Sequence, residues 1–193
     1  TKKSPSSAGL VFYMASCALA AVTSGILFTF FAPYARSIGL SILLVGGITF
    51  VFGLGRFLTY VITINESIRH LVLRNDKRVR NMIVALILTT VPSLTLLFYD
   101  SSGITYFIAY GILGSGASVV FGIAQAGMIA EATAGSYGRN AGLFESAIGI
   151  GACLGPIIAG SVSGNSITIP FIVPAIGLGV YIASVPLMTR KLR

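Results

Sequence analysis

Long stretches of this sequence carry no charge at all. Residues 10–31, 82–99, 104–130 and 167–188 contain no Asp, Glu, Lys or Arg, and the stretches 41–64 and 141–162 hold one each, Arg56 and Glu145. A surface helix of a soluble domain buries one stripe and shows water a polar face. These six segments have no such face, and each is close to the roughly 20 residues needed to cross the hydrocarbon of a bilayer. Only 9% of the residues are charged and 55% are hydrophobic, whereas an ordinary soluble domain is about 25% charged. A single core built from 193 residues cannot hide that much apolar surface, so lipid must be the solvent for most of it. The expected fold is all-α: a polytopic bundle of six transmembrane helices, integral to the membrane.

The polar breaks between the segments differ in their basic residues. Lys2, Lys3, Arg69, Arg74, Lys77, Arg78, Arg80, Arg139, Arg190, Lys191 and Arg193 fall on one side of the expected membrane, and Arg36 alone falls on the other. By the positive-inside rule both termini and the loop at 65–81 are expected in the cytoplasm, in a multi-pass protein of the cell membrane. The same placement explains the net charge of +8 through orientation and anionic headgroups. There is no basic groove interleaved with aromatic residues, so nucleic acid is not an expected partner. The organisation expected is a cytoplasmic linker over residues 1–9, the bundle over 10–189 and a short tail over 190–193. The opening Thr1-Lys2-Lys3-Ser4-Pro5-Ser6-Ser7 reads as a linker from a longer chain. Cys17 and Cys153 lie inside apolar runs and read as small packing residues.

The second crossing carries the most informative side chain. Thr49, Gly53, Arg56, Tyr60 and Thr63 recur at helical spacing and make one polar stripe. Arg56 lies about 5 Å past the middle of the crossing, toward the cytoplasm, at a rise of about 1.5 Å per residue. A cation at that depth costs about 2.5 to 3.5 kcal/mol on insertion scales, which calls for a wet cavity, an anion or a carboxylate. Snorkelling to the headgroups is the competing structural reading, and the inner edge is about two turns away. The fourth crossing has a similar face of Gly111, Ser115, Ser118, Gly122 and Gln125, with Tyr106 and Tyr110 toward its outer end. Pro92, Pro156, Pro170, Pro174 and Pro186 fall inside the expected crossings, where each is expected to kink its helix.

On the fifth crossing Gly151, Gly155 and Ala159 stand four residues apart, which clears one face for the close approach of another helix. The run Gly151-Ala152-Cys153-Leu154-Gly155-Pro156-Ile157-Ile158-Ala159-Gly160 resembles the glycine-proline motif of the major facilitator superfamily of secondary transporters. The resemblance extends along the whole chain. Six crossings with cytoplasmic ends, a charged loop after the second, a glycine-rich fourth ending at Glu131, and Gly138-Arg139 before Ala141-Gly142-Leu143-Phe144-Glu145-Ser146 are similar to the carboxyl-terminal half of such a carrier. The loop after the second crossing lacks the Gly-x-x-x-Asp-Arg-x-Gly-Arg-Arg signature.

That resemblance implies helices 7 to 12 of a carrier, built as two inverted three-helix repeats, and a second six-helix bundle from the same polypeptide or another copy. It implies membrane transport of a small-molecule organic solute by alternating access; Arg56 points to an anionic or polar solute, with sugars and lipophilic compounds as the alternatives. The first and fourth crossings would line the cavity. The implied substrate contacts on those crossings are Tyr13, Ser16, Thr23, Tyr110, Ser118 and Gln125, with interhelical hydrogen bonding as the alternative for each; the polar stripe of the second crossing adds Arg56, Tyr60 and Thr49 as binding candidates. Glu145, Glu131 and Arg139 are the candidates for coupling or gating, with Glu131 latching to Arg69, Arg74 or Arg78. Gly151, Gly155, Pro156 and Gly160 make the packing motif. No cofactor or metal is expected. An enzyme is not expected either, since Ser115 and Ser118 have no embedded His or Lys to activate them. The reading from another class is a non-transporting membrane subunit or receptor on a transporter-like fold.

Overall fold

A computed structural model describes residues 7–66, 68, 72, 77–97, 103–132, 135–164 and 166–189 of the chain. Among them are six long helices and no strand: α1 (Ser7–Ser37), α2 (Ile42–Ile64), α3 (Arg78–Thr95), α4 (Gly103–Ala130), α5 (Tyr137–Ser163) and α6 (Val173–Thr189), the last entered through a 3-10 turn, Ile169–Ile172. Five segments are long and apolar enough to cross a membrane: Gly9–Ser37, Ile42–Ile64, Gly103–Ala130, Tyr137–Ser163 and Ile169–Met188. This is the build of an integral membrane protein. The third expected crossing is not among the five, because α3 opens on Arg78, Val79, Arg80 and Asn81 and has 18 described residues. Its buried Thr89, Thr90 and Ser93 donate to the carbonyls of Ala85, Leu86 and Thr90, so the polar groups are satisfied within the helix. Of the basic residues used above for orientation, Lys2, Lys3, Arg69, Arg74, Arg190, Lys191 and Arg193 lie outside the described residues.

The connection from α1 to α2 is set by local chemistry. Gly39 takes a φ of +81°, Leu40 N donates to Ala35 O at 2.9 Å and Gly39 N to Arg36 O at 3.1 Å. That pair of bonds is a Schellman closure, which needs the left-handed position glycine fills without strain. Ser41 then caps α2, its side chain accepting from Leu44 N. The helix α1 therefore runs through Pro33 and Arg36 and buries Tyr34 and Ala35, six residues past the expected end of the crossing. Pro170 and Pro174 stand in the first turns of their elements, where the missing N–H has no helical partner to lose. Those two positions are starts and not kinks, a correction to the sequence expectation. Pro92, Pro156 and Pro186 are inside helices.

Packing divides into two apolar clusters stacked along the bundle. One gathers Phe12, Cys17, Met82, Leu86, Ile123 and Phe144 near the start of α1, and the other gathers Leu27, Phe31, Tyr34, Phe52, Tyr106 and Phe171 near its end. The central helices are α1 and α4. Helix α1 leans chiefly on α5, α2 chiefly on α4, α3 on α4 and α6 on α1. Both of the first two pairings are glycine seams. A Cβ added at Gly155 would lie 2.6 Å from Val22 O, and one at Gly55 would lie 2.5 Å from Gly111 O. Helix α2 is otherwise almost uncovered, with only Ile48, Phe52 and Gly55 buried along its length.

A polar link joins α1 to α6 beside the first cluster. Ser16 Oγ and Tyr181 Oη stand 2.6 Å apart and buried, and Ser16 also donates to Phe12 O at 2.7 Å. Truncating Ser16 to Ala leaves the phenol without that partner, so stability in detergent is expected to fall by about 1 to 3 kcal/mol. In the Ser16→Ala background the further change Tyr181→Phe is expected to be nearly neutral, as a double-mutant cycle of thermal unfolding would report.

Candidate functional site

The α2–α4 side of the bundle holds the polar stripe of the second crossing. Its position follows from the glycine seam: Gly55 and Gly114 let the two backbones touch, a Cβ at Gly114 falling on Phe52 O, and Ser115 Oγ donates to Gly55 O at 3.4 Å. One turn beyond this crossing, toward the C-terminal end of α2, lies an open pocket of about 130 Å³ lined by Thr59, Tyr60 and Thr63 of α2, Ser118, Val119 and Gly122 of α4, and Val72. Tyr60 remains 45% exposed.

Arg56 follows Gly55 of the seam and precedes Thr59 by three residues, and it is not among the residues that line the pocket. It is half-buried, and its Cζ lies 5.7 Å from the ring centroids of both Phe52 and Phe121. Those rings hold the cation by their quadrupoles and restrict its rotamers. Among the described residues Arg56 has neither an ion pair nor a hydrogen bond. Thr49, on the same stripe, is exposed one turn before the seam and donates to its own helix at Val45 O.

The other expected contacts are distributed through the bundle. Tyr13 is buried, accepts a hydrogen bond from Arg78 Nη1 at 2.8 Å and has its ring over Gly127. Tyr110 is fully buried, donates to Leu27 O at 3.2 Å and packs on Phe31 at 4.6 Å. Ser16 and Thr23 are buried and bonded to carbonyls of α1. Each of these groups joins helices or satisfies its own helix, which is the alternative the sequence left open for it. Ser118 is buried as well, but it also lines the α2–α4 pocket.

Gln125 and Glu145 meet at a smaller cavity of about 50 Å³, between the last turn of α4 and the first turns of α5. Asn140 closes it, donating through Nδ2 to Met128 O at 2.8 Å. Arg139 is exposed beside it, and Glu131 is half-buried just past the end of α4. Arg69 and Arg74, two of the three expected partners of Glu131, lie outside the described residues, and Arg78 donates to Tyr13. In the packing motif Gly151, Gly155 and Pro156 face α1, while Gly160 is exposed with its nearest neighbour, Phe30 Cζ, at 3.8 Å. Among the described residues no three His, Cys, Asp or Glu side chains gather to hold a metal.

Five participants were not singled out in the sequence: Phe52, Thr59, Val72, Val119 and Phe121. Phe52 precedes Arg56 by four residues and Thr59 follows it by three, so both share its face; Val72, Val119 and Phe121 come from outside α2, and its spacing does not mark them. No family model matches the chain, and no curated protein or solved structure matches it.

Proposed function

We propose that this chain is one six-helix half of a carrier that moves a small polar organic solute across the membrane by alternating access. The observation that carries the reading is Arg56, a cation half-buried in an apolar crossing, held against two phenylalanine rings and without an ion pair among the described residues, on the least covered helix. Inert packing gives no reason to retain so costly a group.

The helix arrangement supports the same reading. If α1–α3 and α4–α6 are exchanged, α1 on α5 becomes α4 on α2, and α3 on α4 becomes α6 on α1. That reciprocity is the pattern expected of two three-helix repeats of inverted topology. Both middle helices, α2 and α5, are poorly covered within this bundle, which leaves their faces for lipid or for a second six-helix bundle. In this reading the basic loops place both termini in the cytoplasm.

The test is uptake by the intact natural polypeptide in proteoliposomes, against a panel of sugars, amino acids, carboxylates and neutral lipophiles. Saturable, protein-dependent flux of at least one class is expected. Absence of flux for every class, from protein that retains its helical signal and melting transition, would assign the chain to a non-transporting subunit instead.

A further inference from the structure

The side chain of Asn140 is 3% exposed and held in place at the junction of α4 and α5. Its backbone N donates to Ser136 O at 3.0 Å, and its Nδ2 donates to Met128 O at 2.8 Å, tying the first turn of α5 to the last turn of α4. A carbonyl oxygen only accepts, so the amide cannot be turned over, and the atom left on its other branch is the oxygen. Asn140 Oδ1 is buried and has no hydrogen-bond partner among the described residues. Buried polar side-chain atoms are nearly always partnered, and an orphan acceptor calls for a water or an ion.

Asn140 lines the partly open cavity of about 50 Å³ together with Gln125 and Glu145. Neither Gln125 nor Glu145 has a hydrogen bond or an ion pair among the described residues. Glu145 stands two turns past Tyr137, the first residue of α5, beyond the first turn in which a helix N-terminus favours an anion. A water would satisfy the Asn140 oxygen and leave the carboxylate uncompensated in an apolar crossing, whereas a cation would answer both. The donors on offer, two amide oxygens and a carboxylate without sulfur or imidazole, suit a hard ion. The lining residues supply one carboxylate, which matches a single positive charge. The volume suffices for a small ion with bound water, at about 10 to 15 Å³ for each water.

We propose that Asn140 Oδ1, the Gln125 side-chain oxygen and the Glu145 carboxylate bind a sodium ion in the cavity between α4 and α5. The proposal goes beyond the carrier reading and does not depend on it, because ion binding is read without flux. The probes are sodium, potassium, calcium and choline chlorides at one ionic strength, with thermal unfolding of the intact natural polypeptide measured in detergent. Sodium at ten times its half-saturating concentration is expected to raise the midpoint by about 3 to 6 °C over choline, and potassium to raise it less. Glu145→Gln keeps the shape and removes the charge; it is expected to weaken sodium at least tenfold, and Gln125→Ala to weaken it by a smaller factor.

Equal midpoints in sodium and choline would overturn the proposal and leave a water on Asn140 Oδ1. A larger shift with potassium or calcium would overturn it too, as would a sodium shift that survives intact in Glu145→Gln. Should Glu145→Gln not fold, radiolabelled sodium on the wild-type protein decides: displacement by unlabelled sodium chloride but not by choline chloride is expected, and no retained label overturns the site. Sodium binding without flux of any solute would keep the site and remove the carrier. Saturable flux from protein that binds no sodium would do the reverse.

Discussion

Valine in place of Gly155 or Gly114 is expected to lower the stability of the bundle by about 3 kcal/mol or more, enough to abolish a folded species under mild denaturation. The atoms in the way are backbone. A Cβ would lie 2.6 Å from Val22 O at Gly155 and would overlap Phe52 O at Gly114. A carbonyl inside a helix cannot rotate aside without breaking its own hydrogen bond, so α1 and α5, or α2 and α4, must move apart along the most extensive contacts in the bundle. In lipid the loss is one of close van der Waals packing, since apolar surface gains nothing there from hiding. Gly53, Gly122 and Gly149 are the internal controls, with nothing within 4 Å of an added Cβ. Alanine there is expected to be neutral, or to gain up to about 1 kcal/mol from restricting the unfolded chain. Thermal unfolding in detergent separates the two sets; equal losses at Gly155 and Gly149 would mean that the seams do not hold the bundle together.

The contrast between those glycines marks where sequence reading stops. Segment positions were legible, because a bilayer-length run without charge has few alternatives: the second and fourth segments, expected at 41–64 and 104–130, are Ile42–Ile64 and Gly103–Ala130. Ends were less legible where charge and helix coincide. Arg36 and Pro33 look like a break but lie inside α1, while Arg78 and Arg80 look like loop but begin α3. The seam on α5 showed itself as Gly151 and Gly155 four apart. The seam between α2 and α4 did not, because it joins Gly55 to Gly111 and Gly114 and is a property of two helices at once. The same limit applies to the site. The stripe containing Arg56 and Tyr60 is written in one helix's periodicity, but Phe121 and Ser118 come to it from α4, and no spacing within α2 announces them. Tyr13 and Tyr110 were equally visible as aromatic side chains with polar tips, and only the positions of Arg78 and Leu27 O distinguish a strut from a contact.

Tyr13 gives that distinction its sharpest test. The ring is 5% exposed, stands edge-on to Phe12 at 5.3 Å, and occupies the space left by the missing side chain of Gly127. Its hydroxyl accepts from Arg78, whose Cζ lies 5.9 Å from the ring centroid, so one residue joins α1 to the start of α3 and the end of α4. Tyr13→Ala would open a cavity among all three helices and is expected to cost about 3 to 5 kcal/mol, as buried aromatic truncations do. Tyr13→Phe keeps the ring and its attraction for the guanidinium and loses one charge-assisted hydrogen bond, an expected cost of about 1.5 to 3 kcal/mol. A strut predicts this order in unfolding measurements, with the affinity for solute unchanged in the phenylalanine variant. A cavity contact predicts the opposite separation: stability near wild type in Tyr13→Phe, and a KM that rises with the loss of the hydroxyl. The second result would return Tyr13 to the solute path and require the Arg78 bond to open during the transport cycle, making the α1–α3 junction a moving part. The first would fix that junction as the rigid end of the half-bundle, about which the exposed α2 face and its arginine are presented.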